Sequence, residues 1–118
     1  MKTHHDLEVW KISIKFVDKI YDLTDNFPEK EKYALSSQMQ RAAVSVASNI
    51  AEGAARNHNK EFIQFLYHSF GSLSELETQI IISANRKYIN STKEILDELS
   101  HIQKLLYGLI KYLKNKML

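Results

Sequence analysis

Apolar residues recur along this chain at steps of three and four, the period of amphipathic helices, and short polar breaks divide the pattern into four segments. The predicted helices span residues 6–25, 30–53, 58–87 and 92–116. Because the connections are short, consecutive helices should run antiparallel. The pattern therefore predicts an all-α fold, an antiparallel up-down-up-down four-helix bundle, in a single domain over residues 1–118.

The segment ends carry helix-boundary signals. Asp6 is a candidate N-cap for the first helix, and Gly53 is a candidate C′ cap for the second. Asn57 or His58 would cap the third helix. The spacing of Ser91-Thr92-Lys93-Glu94 is that of a capping box, which predicts the start of the fourth helix.

The second, third and fourth helices each carry an apolar stripe that predicts the core. Its positions are Leu35, Met39, Ala42, Val46 and Ile50 on the second helix, Phe62, Phe65, Leu66, Leu73, Leu76 and Ile80 on the third, and Ile95, Leu99, Ile102, Leu106, Leu109 and Leu113 on the fourth. The stripe of the fourth helix alternates steps of four and three, as in a heptad seam.

The first helix is more apolar than a solvent-facing bundle helix needs to be. Its apolar residues form two stripes that together cover an arc of about 200°, where little over 100° suffices. One stripe is Leu7, Trp10, Ile14, Val17 and Tyr21, and the other is Val9, Ile12, Phe16, Ile20 and Leu23. We expect the second of these to form the interface with other copies of the chain, because an uncovered stripe would promote aggregation. A wide bundle core with partly exposed side chains is the alternative.

The second and third helices also carry polar stripes, which together we call the polar seam. Its members are Gln38, Arg41, Ser45, Asn49 and Glu52 on the second helix and His68, Ser72, Glu75 and Gln79 on the third. An antiparallel turn near residues 57 and 58 places Arg41 beside Glu75, which predicts an ion pair, and Ser45 beside Gly71 and Ser72, which predicts a close backbone approach. The seam either fixes helix register as a buried network or lines a binding site.

The composition narrows the classes of fold and function. Three Gly and one Pro are too few for a turn-rich sandwich or barrel. The absence of Cys excludes disulfides and thiolate zinc sites and fits a cytoplasmic protein, and no apolar run is long enough for a membrane span. With 16 Lys and Arg against 14 Asp and Glu, the net charge of +2 does not by itself indicate a nucleic-acid binder.

No catalytic or metal-binding constellation is complete in the sequence. Glu98-Leu99-Ser100-His101 is one Glu-x-x-His motif, whereas a ferritin-like di-iron site needs two. His68 lies one helical turn from Ser72, but a nucleophilic serine also needs a group that orients its base and an oxyanion hole. We therefore expect no enzyme activity, no metal and no cofactor.

Several short elements resemble those of a known family. They are Phe27-Pro28, Tyr33-Ala34-Leu35, Gln38, Arg41-Ala42-Ala43, Ser45, Asn49-Ile50-Ala51-Glu52-Gly53, Glu61-Phe62, Phe65-Leu66, Gly71-Ser72 and Glu75-Leu76-Glu77. In this order they resemble the bacterial four-helix-bundle proteins named for the intervening sequences inserted in 23S ribosomal RNA genes. The accessory variability proteins of diversity-generating retroelements are similar. Ala34, His58 and Ser69 depart from the family pattern, in which Gly, Ser and Ala are usual.

The resemblance implies a homo-oligomer, commonly a pentamer, without catalytic activity. For the retroelement relatives it implies binding of a reverse transcriptase and of nucleic acid through a basic outer surface. Five copies would carry a net charge of about +10 and would gather basic residues into rims. The candidate nucleic-acid contacts are Arg56, Lys60, Lys111, Lys114 and Lys116.

We therefore expect a homo-oligomeric scaffold for RNA or DNA, with no membrane partner. A scaffold for a protein partner, with no nucleic-acid role, is the first alternative. A metal-binding bundle of the ferritin type is the second.

Overall fold

Four α-helices account for most of the computed structural model, which describes residues 3–117. They are α1 (Glu8–Thr24), α2 (Leu35–Ala54), α3 (Asn59–Asn85) and α4 (Lys93–Lys116), and the described residues contain no strand. Both α1 and α3 pack on α2 and α4, so the four helices surround one core. The bundle measures 48 × 23 × 19 Å. The predicted all-α four-helix fold is confirmed, and no helix within residues 3–117 is both long and apolar enough to cross a membrane.

Contacts between α2 and α3 run in opposite directions along the two helices. The Ser69 hydroxyl donates to the Val46 carbonyl at 2.8 Å, and the Ser83 hydroxyl, further along α3, lies 3.5 Å from the sulfur of Met39, nearer the start of α2. The start of α3 therefore lies beside the end of α2. The Lys114 ammonium donates to the Tyr67 hydroxyl at 2.9 Å, which brings the end of α4 to the same end of the bundle.

Two predicted helix starts are wrong. Residues Glu29–Glu31 form a separate 3-10 turn and Ala34 is not helical, so α2 begins at Leu35 rather than at 30. Asp6 does not cap α1. It belongs to a 3-10 turn that Thr3 caps, and the Asp6 carboxylate accepts from the Thr3 amide at 3.2 Å, so the acid serves that turn instead.

The caps of α3 and α4 also differ from prediction. His58 is the N-cap of α3, but its side chain makes no capping bond. The predicted capping box before α4 is absent: Thr92 is the N-cap, and the Ser91 hydroxyl only accepts a 3.4 Å bond from the Lys93 amide. Because neither helix has a side-chain cap, both depend on their packed faces for stability.

The core consists of the predicted positions on α2, α3 and α4 together with one face of α1. All predicted positions on those three helices are buried or half-buried, and four of them, Leu35, Phe65, Ile95 and Leu109, are half-buried. Burial of each large apolar side chain contributes about 1.5–3 kcal/mol before the entropy of ordering is subtracted. The core therefore determines which side of each helix faces the solvent.

The stripe of α1 assigned to the subunit interface faces the core instead. Val9, Phe16 and Ile20 are at most 5% exposed, whereas Ile14 and Tyr21 of the other stripe are each 41% exposed. Of the predicted interface residues Val9, Ile12, Phe16, Ile20 and Leu23, the prediction is therefore wrong for Val9, Phe16 and Ile20, which the core of the same chain covers, whereas Ile12 and Leu23 are half-buried. Ser13 and Thr24, which lie between the two stripes, are also buried, so the buried side of α1 is centred between the stripes, with half-buried Ile12 at one edge and half-buried Val17 at the other.

Neither of the two glycines singled out in the sequence has its predicted role. Gly53 is not a C′ cap; it lies within α2, where a Cβ would stand 2.7 Å from the Phe65 Cβ and 3.0 Å from the Phe62 Cδ1. Gly71, predicted at a close approach, is exposed, and no atom outside its own helix backbone lies within 4 Å of the place where its Cβ would be. The tight contact of α2 with α3 is therefore at the end of α2.

Candidate nucleic-acid interface

The centre of the polar seam forms a hydrogen-bonded link between α2 and α3. The Ser72 hydroxyl donates to the Ser45 hydroxyl at 2.9 Å, and the Asn49 amide donates to the hydroxyl and the carbonyl of Ser45, both at 2.9 Å. The predicted proximity of Ser45 and Ser72 is confirmed. These three half-buried side chains satisfy one another, which is the pattern of a register-fixing network.

The predicted ion pair of Arg41 with Glu75 is not formed. Both side chains are exposed, and no ion pair joins them among residues 3–117. Glu75 instead lies 3.5 Å from the amide of Gln79 on its own helix, and Arg41 lines a depression beside Tyr21 and Val44, on the α1 side of α2. Each residue lies outside the line of contact between α2 and α3, so the two side chains diverge.

The remaining seam residues do not complete a site. Gln38 and His68 are exposed, and Glu52 pairs at 3.2 Å with Arg56, in the turn that follows α2. Gln79 is 5% exposed, and its side-chain oxygen has no hydrogen-bond partner. Within the described residues the His68 ring makes no hydrogen bond to Ser72, whose hydroxyl contacts only the His68 carbonyl and Ser45.

The Glu-x-x-His motif of α4 borders a groove between α1 and α4 with a volume of about 360 Å³. The carboxylate of Glu98 pairs with the Lys19 ammonium, and this hydrogen bond raises the pKa of Lys19 above its ordinary value. His101 lines the same groove. In the part of the chain that the structure describes, no three His, Asp or Glu side chains are grouped closely enough to hold a metal ion.

Two of the five candidate nucleic-acid contacts are exposed lysines without an ion pair in residues 3–117. They are Lys60, in the first turn of α3, and Lys111, near the end of α4. Arg56 differs, because it lies 3.2 Å from Glu52 and 3.9 Å from Glu61 and its charge is compensated.

The other two candidates are lysines that contact tyrosine rings. Lys114 bonds the Tyr67 hydroxyl and lies 5.3 Å from the centroid of that ring, and Lys116 lies 5.1 Å from the ring of Tyr112. The bond to Tyr67 raises the pKa of Lys114 above its ordinary value.

The last turns of α4 combine positive charge with exposed aromatic rings. Residues 99–117 include four lysines and no Asp or Glu. Tyr107 is 64% exposed and Tyr112 53%, and Tyr67 of α3 is 49% exposed. Sequence reasoning missed these tyrosines and Lys104, although Lys104, Tyr107, Lys111 and Lys114 follow one another at steps of three, four and three and so share one helix face.

Comparisons with known proteins agree on a family. The sequence profile of the 23S rRNA-intervening sequence proteins matches residues 5–108. A solved structure described as a protein with unknown function from the S23 ribosomal protein family, from Bacteroides thetaiotaomicron VPI-5482, aligns with a TM-score of 0.80 and 25% identity, over 87% of this chain and 95% of that one. A comparison with curated proteins returned no significant match. Because the profile covers most of the chain, this protein belongs to the family of 23S rRNA-intervening sequence proteins.

Proposed function

We propose that this protein is a non-catalytic homo-oligomeric scaffold that binds nucleic acid through basic surfaces, in the cytoplasm. The observation that carries the proposal is the basic end of α4, where Lys111 and Lys114 are exposed and residues 99–117 contain no Asp or Glu. Phosphate contacts supply most of the affinity of sequence-tolerant binding, and they need uncompensated cations of this kind. The sequence elements that resemble those of the retroelement accessory proteins imply the same assignment.

An exposed apolar surface supports the oligomeric part of the proposal. This α1–α2 apolar face consists of Trp10, Ile14, Val17, Tyr21 and Val44, of which Ile14, Tyr21 and Val44 are 41–42% exposed. This face, rather than the α1 stripe predicted from the sequence, is the surface that we assign to the interface between copies. A second copy of the chain would remove the face from water, and the family resemblance implies a ring of five.

Oligomerisation strengthens the electrostatic argument. One chain carries a net charge of only +2, which attracts phosphate weakly. Five copies would present five basic ends to one nucleic acid, and simultaneous contacts convert weak single contacts into firm overall binding. Binding should therefore be strongest at low salt and should fall steeply as salt rises.

Charge reversal tests the nucleic-acid part directly. Lys60→Glu and Lys111→Glu should weaken binding of labelled RNA and DNA at about 50 mM salt and reduce the salt dependence by about one ion per lost contact. Lys30→Glu makes the same charge change at the opposite end of the bundle, in the 3-10 turn before α2, and serves as the matched control. It should bind as the wild type does.

Two results would overturn the assignment. One is the absence of binding at about 50 mM salt, where phosphate contacts are strong. The other is equal binding by the wild type and the two reversal variants. Either result would favour a protein-binding scaffold, for which the α1–α2 apolar face would be the docking surface.

A further inference from the structure

Basic and aromatic side chains line the outer surface where α3 meets α4. This α3–α4 face consists of Lys60, Tyr67, Lys104, Tyr107, Lys111 and Lys114, all exposed. The contact of Lys114 with Tyr67 joins the two helices at this face. We propose that the α3–α4 face binds single-stranded nucleic acid in preference to duplex, with Tyr67 and Tyr107 as stacking platforms for unpaired bases. The inference rests on the proposed function.

The two tyrosine rings are suited to stacking because their faces are open and one of them is fixed. Tyr107 is 64% exposed and Tyr67 is 49% exposed. The Lys114 ammonium holds the Tyr67 ring by a 2.9 Å bond to its hydroxyl and lies 5.3 Å from the ring centroid. A ring held in place loses little side-chain freedom when a base stacks on it, so more of the stacking energy appears as affinity.

The lysines are placed to follow a phosphate backbone past these rings. Lys104, Lys111 and Lys114 lie on the same side of α4 as Tyr107 and extend over about 15 Å of helix rise. Lys60 lies two helical turns before Tyr67 on α3 and so shares its side of that helix. Both sides of the face therefore carry a base platform with cations next to it.

Small residues keep the surface between the rings open. Antiparallel packing of α3 on α4, fixed by the Tyr67 contact with Lys114, brings Ser74 of α3 level with Tyr107. Gly71 lies between Tyr67 and Ser74, and no atom from another element lies within 4 Å of the position its Cβ would take. Half-buried Phe70 lies on the side of α3 that faces α4. The surface thus has apolar character and room for a base.

Charge and shape favour a single strand over the two other partners that could use a basic surface. An acidic protein segment would use the lysines but would leave both rings exposed to water. A duplex would contact the lysines through its phosphates, but its base faces are covered by neighbouring bases and cannot stack on protein rings. An unpaired strand alone uses both kinds of side chain. In the same register the exposed Glu77 of α3 lies level with Lys104, at the end of the face away from Tyr67.

Fluorescence anisotropy with one labelled strand, as RNA and as DNA, and with the duplex of the same sequence tests the inference. At about 50 mM salt the wild type should bind the single strand more tightly than the duplex. Tyr107→Ala and Tyr67→Ala should each weaken single-strand binding by about fivefold or more and leave duplex binding within about twofold. Tyr107→Phe keeps the ring and should bind normally.

Tyr33→Ala is the matched control, because Tyr33 is an exposed tyrosine, 88% accessible, with the Lys32 ammonium 5.6 Å from its ring, at the opposite end of the bundle. It should bind both probes as the wild type does. Equal affinity for strand and duplex, or normal single-strand binding by both alanine variants, would overturn the inference. If lysine reversal still abolished binding in that case, the proposed function would stand. Absence of binding by every probe would reject both.

Discussion

Replacement of Gly53 by alanine tests the packing of α2 on α3 most sharply. The added Cβ would lie 2.7 Å from the Cβ of Phe65, 3.0 Å from the Cδ1 of Phe62 and 3.3 Å from the Phe62 carbonyl oxygen. The favourable separation of two carbon atoms is about 3.5–4.0 Å. Because the Phe65 Cβ and the carbonyl are attached to the α3 backbone, neither can rotate away, and the two helices must separate.

Two opposing effects determine how much Gly53→Ala changes the free energy of unfolding. Overpacking of a core contact costs about 1–3 kcal/mol, and this contact, about 1 Å too short and made with backbone-fixed atoms, belongs in the upper part of that range. Alanine is about 1 kcal/mol more favourable than glycine inside a helix. The net effect should be a loss of about 1–2 kcal/mol in the free energy of unfolding.

The assay is urea denaturation followed by the helical circular dichroism signal, at one fixed protein concentration because an oligomer's stability depends on it. Gly71→Ala is the matched control, since its Cβ would meet nothing within 4 Å. That variant should be more stable than the wild type by about 0.4–1 kcal/mol. Both glycines lie within helices, Gly53 at the end of α2 and Gly71 in the middle of α3, and only the Cβ at position 53 would meet another helix.

The two variants should change the free energy of unfolding in opposite directions, so each of them can contradict the packing described here. A Gly53→Ala variant as stable as the wild type, or more stable, would show that α2 and α3 are not in close contact there. A destabilised Gly71→Ala variant would show that this side of α3 is covered rather than open. An unchanged denaturant slope would confirm that the folded and unfolded states keep their compactness.

Three further predictions concern assignments that the structure changes. Phe16→Ala should lower the free energy of unfolding by about 3–5 kcal/mol, because Phe16 is a core residue. Ile14→Asp should give a folded protein whose mass by light scattering is lower than that of the wild type. Ile82→Asp changes a similarly exposed isoleucine on α3 and should leave the mass unchanged. Arg41→Ala should change the free energy of unfolding by less than about 0.5 kcal/mol, because the arginine is exposed and unpaired in residues 3–117; a loss of several kcal/mol would mean that it holds a buried partner.

The apolar pattern predicts the helices and the core of α2, α3 and α4 well, because a single stripe leaves one way to pack each helix. It cannot orient α1, whose two apolar stripes would each fill a core position. The buried side of α1 includes Ser13 and Thr24, which lie between the two stripes and which a count of apolar residues leaves out. Such a choice is made by the fit between helices and not by hydrophobicity alone.

Side-chain direction accounts for the other differences. The antiparallel register predicted for α2 and α3 places Ser45 correctly beside Ser72. The same register places Arg41 level with Glu75. Both residues, however, lie further from the line of contact between α2 and α3 than Ser45 and Ser72 do, so their side chains diverge. The role of a glycine depends on distances to another helix, as at Gly53, and sequence carries no such distances.

The candidate site was only partly accessible to sequence reasoning, which selected basic residues by position near helix ends. The spacing of Lys104, Tyr107 and Lys111 on one face was readable from the chain. The pair of Arg56 with Glu61 and the contact of Lys114 with Tyr67 were not, because each joins residues from different elements.

Light scattering coupled to size-exclusion chromatography, with a single-stranded RNA added at low salt, tests the central claim most directly. It measures the protein mass and the bound nucleic acid in the same peak. For a pentameric scaffold we expect a protein mass of about 68 kDa, five times the 13.7 kDa of one chain. RNA should elute in the same peak at low salt and should be released at high salt. A peak of 13.7 kDa that contains no RNA would contradict it.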